Sequence, residues 1–314
     1  MFDIISIGDT TVDTIIVIDK ASVNCDLKKS QCQLCINYAD KIPISKSDLS
    51  IGGNAANIAV GCKKLGLKTA LITELGSDVN GDYVKKELRK MKVNTDLTKN
   101  LKNKETRYSI VLNYRGERTI LSYHAERNYT LPKIPKCKWI YFTSMSKNYE
   151  KIVPKLLNFL EKNKEIKLAF NPGSYQMKNS MTEIKKILKQ TDLLFVNKQE
   201  AKKITGKDEK IKKLFPYLHK KGVKTAVITD GTKGSYSSHE NEIFFTPASK
   251  EKAKAKTGAG DAYASGFLSA IVYGKSIPEA MKWGTANASG VITEFGAQKG
   301  LLSKNGIQKQ IKKL

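Results

Sequence analysis

From residue 139 onward, short apolar runs alternate with amphipathic stretches. That rhythm constrains the fold more than any other feature of the chain. WIYFTSM (139–145), KLAFNP (167–172), DLLFVN (192–197) and KTAVITDG (224–231) read as strands. Between them, 150–163, 181–189, 198–205 and 210–221 carry apolar residues at helical spacing. Strands this uniformly apolar are buried on both faces, and parallel pairing through crossover helices buries them. The first hundred residues fit the same scheme. Strands are expected at 2–7, 14–18 and 67–75, and helices at 55–65 and 83–91. Helices at 261–273 and 277–295 close the chain, with 304–314 as a surface helix or tail. The expected fold class is α/β, a three-layer αβα arrangement around a mostly parallel central sheet, in one domain over 1–314.

Two stretches depart from the rhythm. Residues 107–112 and 118–123 are β-prone runs joined by Asn113-Tyr114-Arg115-Gly116-Glu117, which reads as a hairpin. Residues 19–50 are polar, lysine-rich and weakly patterned. They hold Cys25, Cys32 and Cys35 of the five cysteines. Cys32-x-x-Cys35 lacks two further ligands for zinc, and it is expected as two free thiols on a short strand.

Charge is the feature that most invites a functional guess. The 314 residues carry 55 Lys+Arg against 30 Asp+Glu, a formal +25. Only Arg89, Arg107, Arg115, Arg118 and Arg127 are arginines. Arginine is the usual reader of phosphate forks and base edges, so a lysine excess reads as solvated surface and nucleic acid is not the expected partner. No run approaches the roughly 18 apolar residues of a membrane span. The start MFDIISIGDT has no basic region of a secretion signal. The expected location is cytoplasmic, with no membrane partner.

In a parallel α/β sheet, ligands bind beyond the carboxyl ends of the strands. The strongest candidate site is Thr257-Gly258-Ala259-Gly260-Asp261, opening a helix with an apolar face. First-turn N–H groups favour an anion. An Asp there is useful if it takes the proton of a hydroxyl attacking a phosphoryl group. It is equally readable as a helix cap after a glycine turn. The same stretch lacks the third glycine of a dinucleotide fingerprint. Ser269 spoils a Walker-type reading of 269–276. Gly52-Gly53-Asn54-Ala55-Ala56-Asn57 is a second glycine-to-helix junction, whose Asn54 and Asn57 amides suit sugar hydroxyls. Asp9 and Asp13, after the first strand, could each grip a diol or sit in a turn. Asn197-Lys198-Gln199-Glu200 suits a hydrated Mg²⁺, with a capping box as its plainer reading. Thr229-Asp230-Gly231 could touch phosphate or form a tight turn.

Taken in order, these segments resemble the ribokinase-like (PfkB) carbohydrate kinase family over nearly the whole chain. GGNAANIAVGCKKLG (52–66) is similar to its N-terminal signature, TGAGDAYASGFLSAIVYG (257–274) to its C-terminal one, and NKQE (197–200) to its N-x-x-E motif. The resemblance implies an ATP- and Mg²⁺-dependent kinase of a sugar hydroxyl, or a nucleoside kinase on the same fold. It makes Asp261 the catalytic base and Gly258, Ala259 and Gly260 the anion hole. Asn197 and Glu200 would organise Mg²⁺ through water. Thr229 and Gly231 would contact nucleotide phosphates, with Asn287, Gly296 and Ala297 along the adenine. Asp13, Gly53, Asn54 and Asn57 would hold the acceptor, and Arg107 is a candidate for an acidic or phosphorylated one. Parts of 14–50 and 105–125 would form a β lid that can pair two copies. One departure is Ala255, where the family pattern has an Asp that helps bind a monovalent cation. Lys254 and Lys256 flank it.

Overall fold

A computed structural model of the protein describes residues 1–26 and 32–314. Along the chain, β1 (Phe2–Ile7) and β2 (Thr11–Ile18) are followed by β3 (Ser22–Cys25), β4 (Cys32–Cys35) and β5 (Ile44–Gly52). Then come α1 (Asn54–Lys64), β6 (Thr69–Ile72), β7 (Glu74–Gly76), α2 (Val79–Lys90) and β8 (Lys99–Leu101). The hairpin of β9 (Tyr108–Tyr114) and β10 (Glu117–Tyr123) precedes β11 (Cys137–Phe142), α3 (Val153–Lys162) and β12 (Lys167–Phe170). After these follow α4 (Ser174–Asn179), α5 (Met181–Leu188), β13 (Leu193–Asn197), α6 (Lys198–Thr205), α7 (Ile211–Lys220) and β14 (Thr225–Thr229). The chain closes with β15 (Ser235–His239), β16 (Glu242–Thr246), α8 (Ala259–Val272), α9 (Ile277–Ile292) and α10 (Lys304–Ile311).

The main sheet has eight strands in the order β16-β15-β14-β13-β12-β11-β1-β6. All pairs from β14 to β6 are parallel, and the β14-β15-β16 edge is antiparallel. Alternation along each strand explains the layers. Ile5, Ile140, Leu194 and Ile228 face one side with α3, α5, α6 and α7. Ile4, Tyr141, Phe195 and Val227 face the other with α1, α8 and α9. Both faces are covered, so the strands are apolar throughout, as the sequence pattern required. No helix among the described residues is long and apolar enough to cross a membrane.

A second, four-stranded sheet has the order β10-β9-β2-β5. It draws on 11–18, 44–52, 108–114 and 117–123, largely within the stretches 14–50 and 105–125 expected to stand apart from the main sheet. The segment after β1 does not continue in the main sheet. Instead β2 leaves it and pairs antiparallel with β5 and parallel with β9. The β5 strand was hidden because ISKSDLSIG is mostly exposed and polar, as an edge strand can be. The expected strand 67–75 splits, and β7 pairs with β8 rather than extending the main sheet. Within 14–50, residues 27–31 lie outside the described residues. The expectation of two free thiols fails at Cys32, which is disulfide-bonded to Cys25 directly across the β3–β4 ladder. Only Cys35 of that pair is free and exposed. Cross-strand partners bring two sulfurs together wherever the strands pair, which spacing along the chain does not reveal.

Candidate active site

Strand β1 lies between β11 and β6, the point where successive crossovers run outward in opposite directions. Such a switch point leaves a crevice beyond the strand ends. A cleft of about 590 Å³ occupies it. Its floor comes from residues just past the strands: Asp9 after β1, Ser144 after β11, Asn171 after β12, Asn197 ending β13 and Thr229 ending β14. The second sheet forms the opposite wall, and the start of α8 closes one flank.

Asp261 is the third residue of α8 and lines the cleft. Before it, Gly258 has φ 77°, and a Cβ there would come within 2.4 Å of the Ala297 Cβ. Only glycine turns the chain into the helix so tightly. At Gly260 a Cβ would meet nothing within 4 Å. The free first-turn N–H groups therefore border an open cradle that fits a phosphoryl-sized anion. The Asp261 carboxyl is pushed up to about 6, chiefly by burial and further by Asp13, against the lowering effect of a hydrogen bond from Asn57. That bond runs from Asn57 Nδ2 to Asp261 Oδ2 at 2.8 Å. Gln298 Nε2 in turn donates to Asn57 Oδ1 at 2.9 Å, which fixes which end of the amide faces the acid.

Another end of the cleft is built on the β1–β2 turn and the start of α1. Gly53 has φ 88°, and a Cβ would lie 2.5 Å from the Asp9 carbonyl oxygen. Bare backbone there lets the start of α1 press against the turn. Asp13 shares a row of the second sheet with Ser109 and Ser50, and Thr11 Oγ1 donates to its Oδ1 at 2.8 Å. Burial raises its pKa. Asn54 lines the cleft and reaches Asn171 Oδ1 at 3.4 Å. Arg107 lines the wall, but not as a solvated charge. It is 1% exposed, pairs with Asp9, and donates to Ser146 Oγ at 2.6 Å and the Ala125 carbonyl at 3.1 Å. Tyr129 Oη donates to the other Asp9 oxygen at 2.6 Å. Arg107 is thus largely spent in holding Asp9.

On the opposite side, Asn197 and Glu200 both line the cleft and also cap α6. Glu200 N donates to Asn197 Oδ1 at 2.9 Å, and Asn197 N donates to Glu200 Oε2 at 2.8 Å. The capping reading and the metal reading are therefore compatible. One carboxylate oxygen is committed to the helix end, and the other remains for a metal-bound water. Burial raises the Glu200 pKa. Among the described residues no cluster of three His, Cys, Asp or Glu could hold a metal unaided. The donor set fits an ion that keeps its waters and leans on phosphates.

Four sequence candidates, Ala259 among them, are not brought to the lining. Asn287 is fully buried, and its amide is consumed inside the protein. It donates to the Ala262 carbonyl and Ser265 Oγ and accepts from Leu302 N. It ties α9 to α8 and does not line the cleft. Gly231 and Gly296 hold left-handed turns at φ 56° and 102°. Their neighbours Thr229 and Ala297 reach the cleft instead. Conversely, Gln298, Asn171 and Tyr129 were not singled out. Asn171 had a signal, its place at the end of the KLAFN strand. Gln298 and Tyr129 had none, because their contacts to Asn57 and Asp9 cross 241 and 120 residues.

The chain matches the model of the pfkB family carbohydrate kinases over residues 12–304. It is 27% identical over 283 residues to a 5-dehydro-2-deoxygluconokinase of Halalkalibacterium halodurans, covering 84% of this chain and 86% of that protein. It superposes on a nucleoside kinase of Methanocaldococcus jannaschii, an archaeal ribokinase-family member, with TM-score 0.83 at 24% identity. That match covers 100% of this chain and 99% of the other. An Arabidopsis thaliana ribokinase complexed with ribose and ATP superposes with TM-score 0.80 at 20% identity, covering 99% of each chain. With the cleft at the switch point and the TGAGD segment heading α8, the chain belongs to the pfkB family of carbohydrate kinases.

Proposed function

We propose that the protein transfers the γ-phosphoryl group of ATP to a hydroxyl of a small sugar, with Asp261 as general base. One observation carries this reading: a half-buried acid of raised pKa stands at the head of α8, beside the open Gly260 cradle and facing the Asp13 end of the cleft. Asp13 would accept hydrogen bonds from acceptor hydroxyls, and Asn54 would add its amide. Asp261 would take the proton of the attacking hydroxyl. Asn57, oriented by Gln298, keeps the Asp261 carboxylate ionised and aimed. The backbone of 258–260 would receive the charge on the transferring group. Asn197 and Glu200 would hold Mg²⁺ through water, and that ion would neutralise phosphate charge. Thr229 would lie against the nucleotide phosphates. Ala255 is buried and offers no carboxylate, so the proposal includes no monovalent cation.

The second sheet would act as the lid, its inner rows facing the acceptor. Its outer face carries the cross-strand row Leu121, Ile110, Thr14 and Leu49. Leu121 and Leu49 there are 53% and 50% exposed. A second copy of the chain would cover this row. We place the enzyme in the cytoplasm.

The test is a panel of sugars, sugar acids and nucleosides read by ADP release. A sugar or sugar acid turned over far faster than any nucleoside supports the proposal. Selective turnover of a nucleoside would move the acceptor to the nucleoside class. Release no faster than without acceptor, across the panel, would contradict it.

A further inference from the structure

Fifty of the 55 cationic residues are lysines, yet among the described residues Lys256 is the only lysine lining the cleft. It directly precedes Thr257 and Gly258 at the head of α8. Its Nζ pairs with Oε1 of Glu117, the first residue of β10 at the tip of the second sheet. The contact joins positions 139 residues apart and spans the cleft mouth. One partner belongs to the second sheet and the other to the approach to the anion cradle.

The other cations of the lining do not duplicate Lys256. Arg107 is buried against Asp9. Arg118 extends from β10 itself, on the second-sheet wall. The cradle flank otherwise carries Asp261 and Glu200, which repel a polyphosphate. A cation is needed there, and Lys256 is in place. Its present partner is a poor one. The side chains are 50% and 72% exposed, and solvated pairs of this kind are worth about 0–1 kcal/mol. A terminal phosphate carries more charge and more acceptor oxygens than one carboxylate, so it forms the stronger charge-assisted contact.

Resting on the phosphotransfer reading above, we propose that Lys256 is a phosphate-positioning residue that Glu117 holds until nucleotide arrives. The ammonium leaves Glu117 for the terminal phosphates, and the tip of the second sheet is released at the same time. Nucleotide and Glu117 compete for one cation, so each weakens the other's hold by the same factor.

The sign of two substitutions separates this role from a plain strut. Glu117→Gln, Lys256→Met and the double variant are compared with the wild type by calorimetric binding of Mg·ADP and of a non-hydrolysable ATP analogue. Removing the competitor should tighten ATP-analogue binding about threefold, of the order of one weak surface pair. Removing the cation should weaken it about tenfold or more, and the double variant should match Lys256→Met. Loss of affinity in both single variants, or no change in either, would overturn the proposal while leaving the kinase reading intact. Absence of nucleotide binding in the wild type would instead overturn the kinase reading and this proposal with it.

Discussion

In the proposed reaction Asp261 concentrates the chemistry, because its surroundings pull in opposite directions. Burial and Asp13 raise its pKa to about 6, while Asn57 lowers it. A base works only when ionised, so kcat/KM should fall about tenfold per pH unit below pH 6 and level off above it. A pH–rate profile of the free enzyme reads this directly, and a profile flat down to pH 4.5 would contradict it. Asn57→Ala removes a hydrogen bond to the carboxylate, a contact worth about 1.5–3 kcal/mol. The acidic limb should then move up by about one pH unit or more. Gln298→Ala should move it the same way by less, since Gln298 acts only through the Asn57 amide. An unmoved limb in Asn57→Ala would show that the bond does not tune the base.

At the scale of elements, one residue pair serves two purposes at the head of α6. Asn197→Ala removes the cap, which costs about 1 kcal/mol, a few degrees in melting temperature. It should also raise the KM for Mg·ATP, because the Asn197 amide no longer helps hold the metal's waters. Glu200→Gln keeps a capping side chain, so it should raise the Mg²⁺ requirement with little loss of stability. Equal losses of stability in both variants would reduce the pair to a cap. The same elements show what a sequence can reveal. The 257–261 segment was legible because two glycines, an acid and a helix start lie within five residues, and 197–200 because an amide and an acid sit three apart at a helix start. The β15–β16 hairpin was not, since SYSSH and EIFFT are short and offer little hydrophobic periodicity. Asn287 was expected beside the adenine only because the family resemblance implies it. Its burial between α8 and α9 is a property of packing. Arg107 read as a candidate for holding an acidic or phosphorylated acceptor, and its Asp9 partner lies 98 residues away.

For the molecule as a whole, the +25 charge turns out to say little about the site. Among the described residues, the cleft lining takes just one lysine. The second sheet is the more informative large feature. It supplies Asp13 and Ser109 on its inner face and leaves Leu121, Tyr108 and Leu49 on its outer face. If a second copy covers that face, Leu121→Glu should shift the mass in sedimentation or light scattering from dimer to monomer. The Asp261 region lies on the other face of the sheet, so nucleotide affinity should stay within about twofold. A wild type that is monomeric at micromolar concentration would remove the pairing from the account.

The central claim is that Asp261 takes the proton in phosphoryl transfer. Asp261→Asn keeps the side chain's shape and removes the base. Turnover and Mg·ADP affinity of this variant, measured side by side on the best acceptor of the panel, test the claim most directly. The account predicts a kcat lower by roughly two to four orders of magnitude, with nucleotide affinity within a few-fold of wild type. Turnover near the wild-type rate would contradict it.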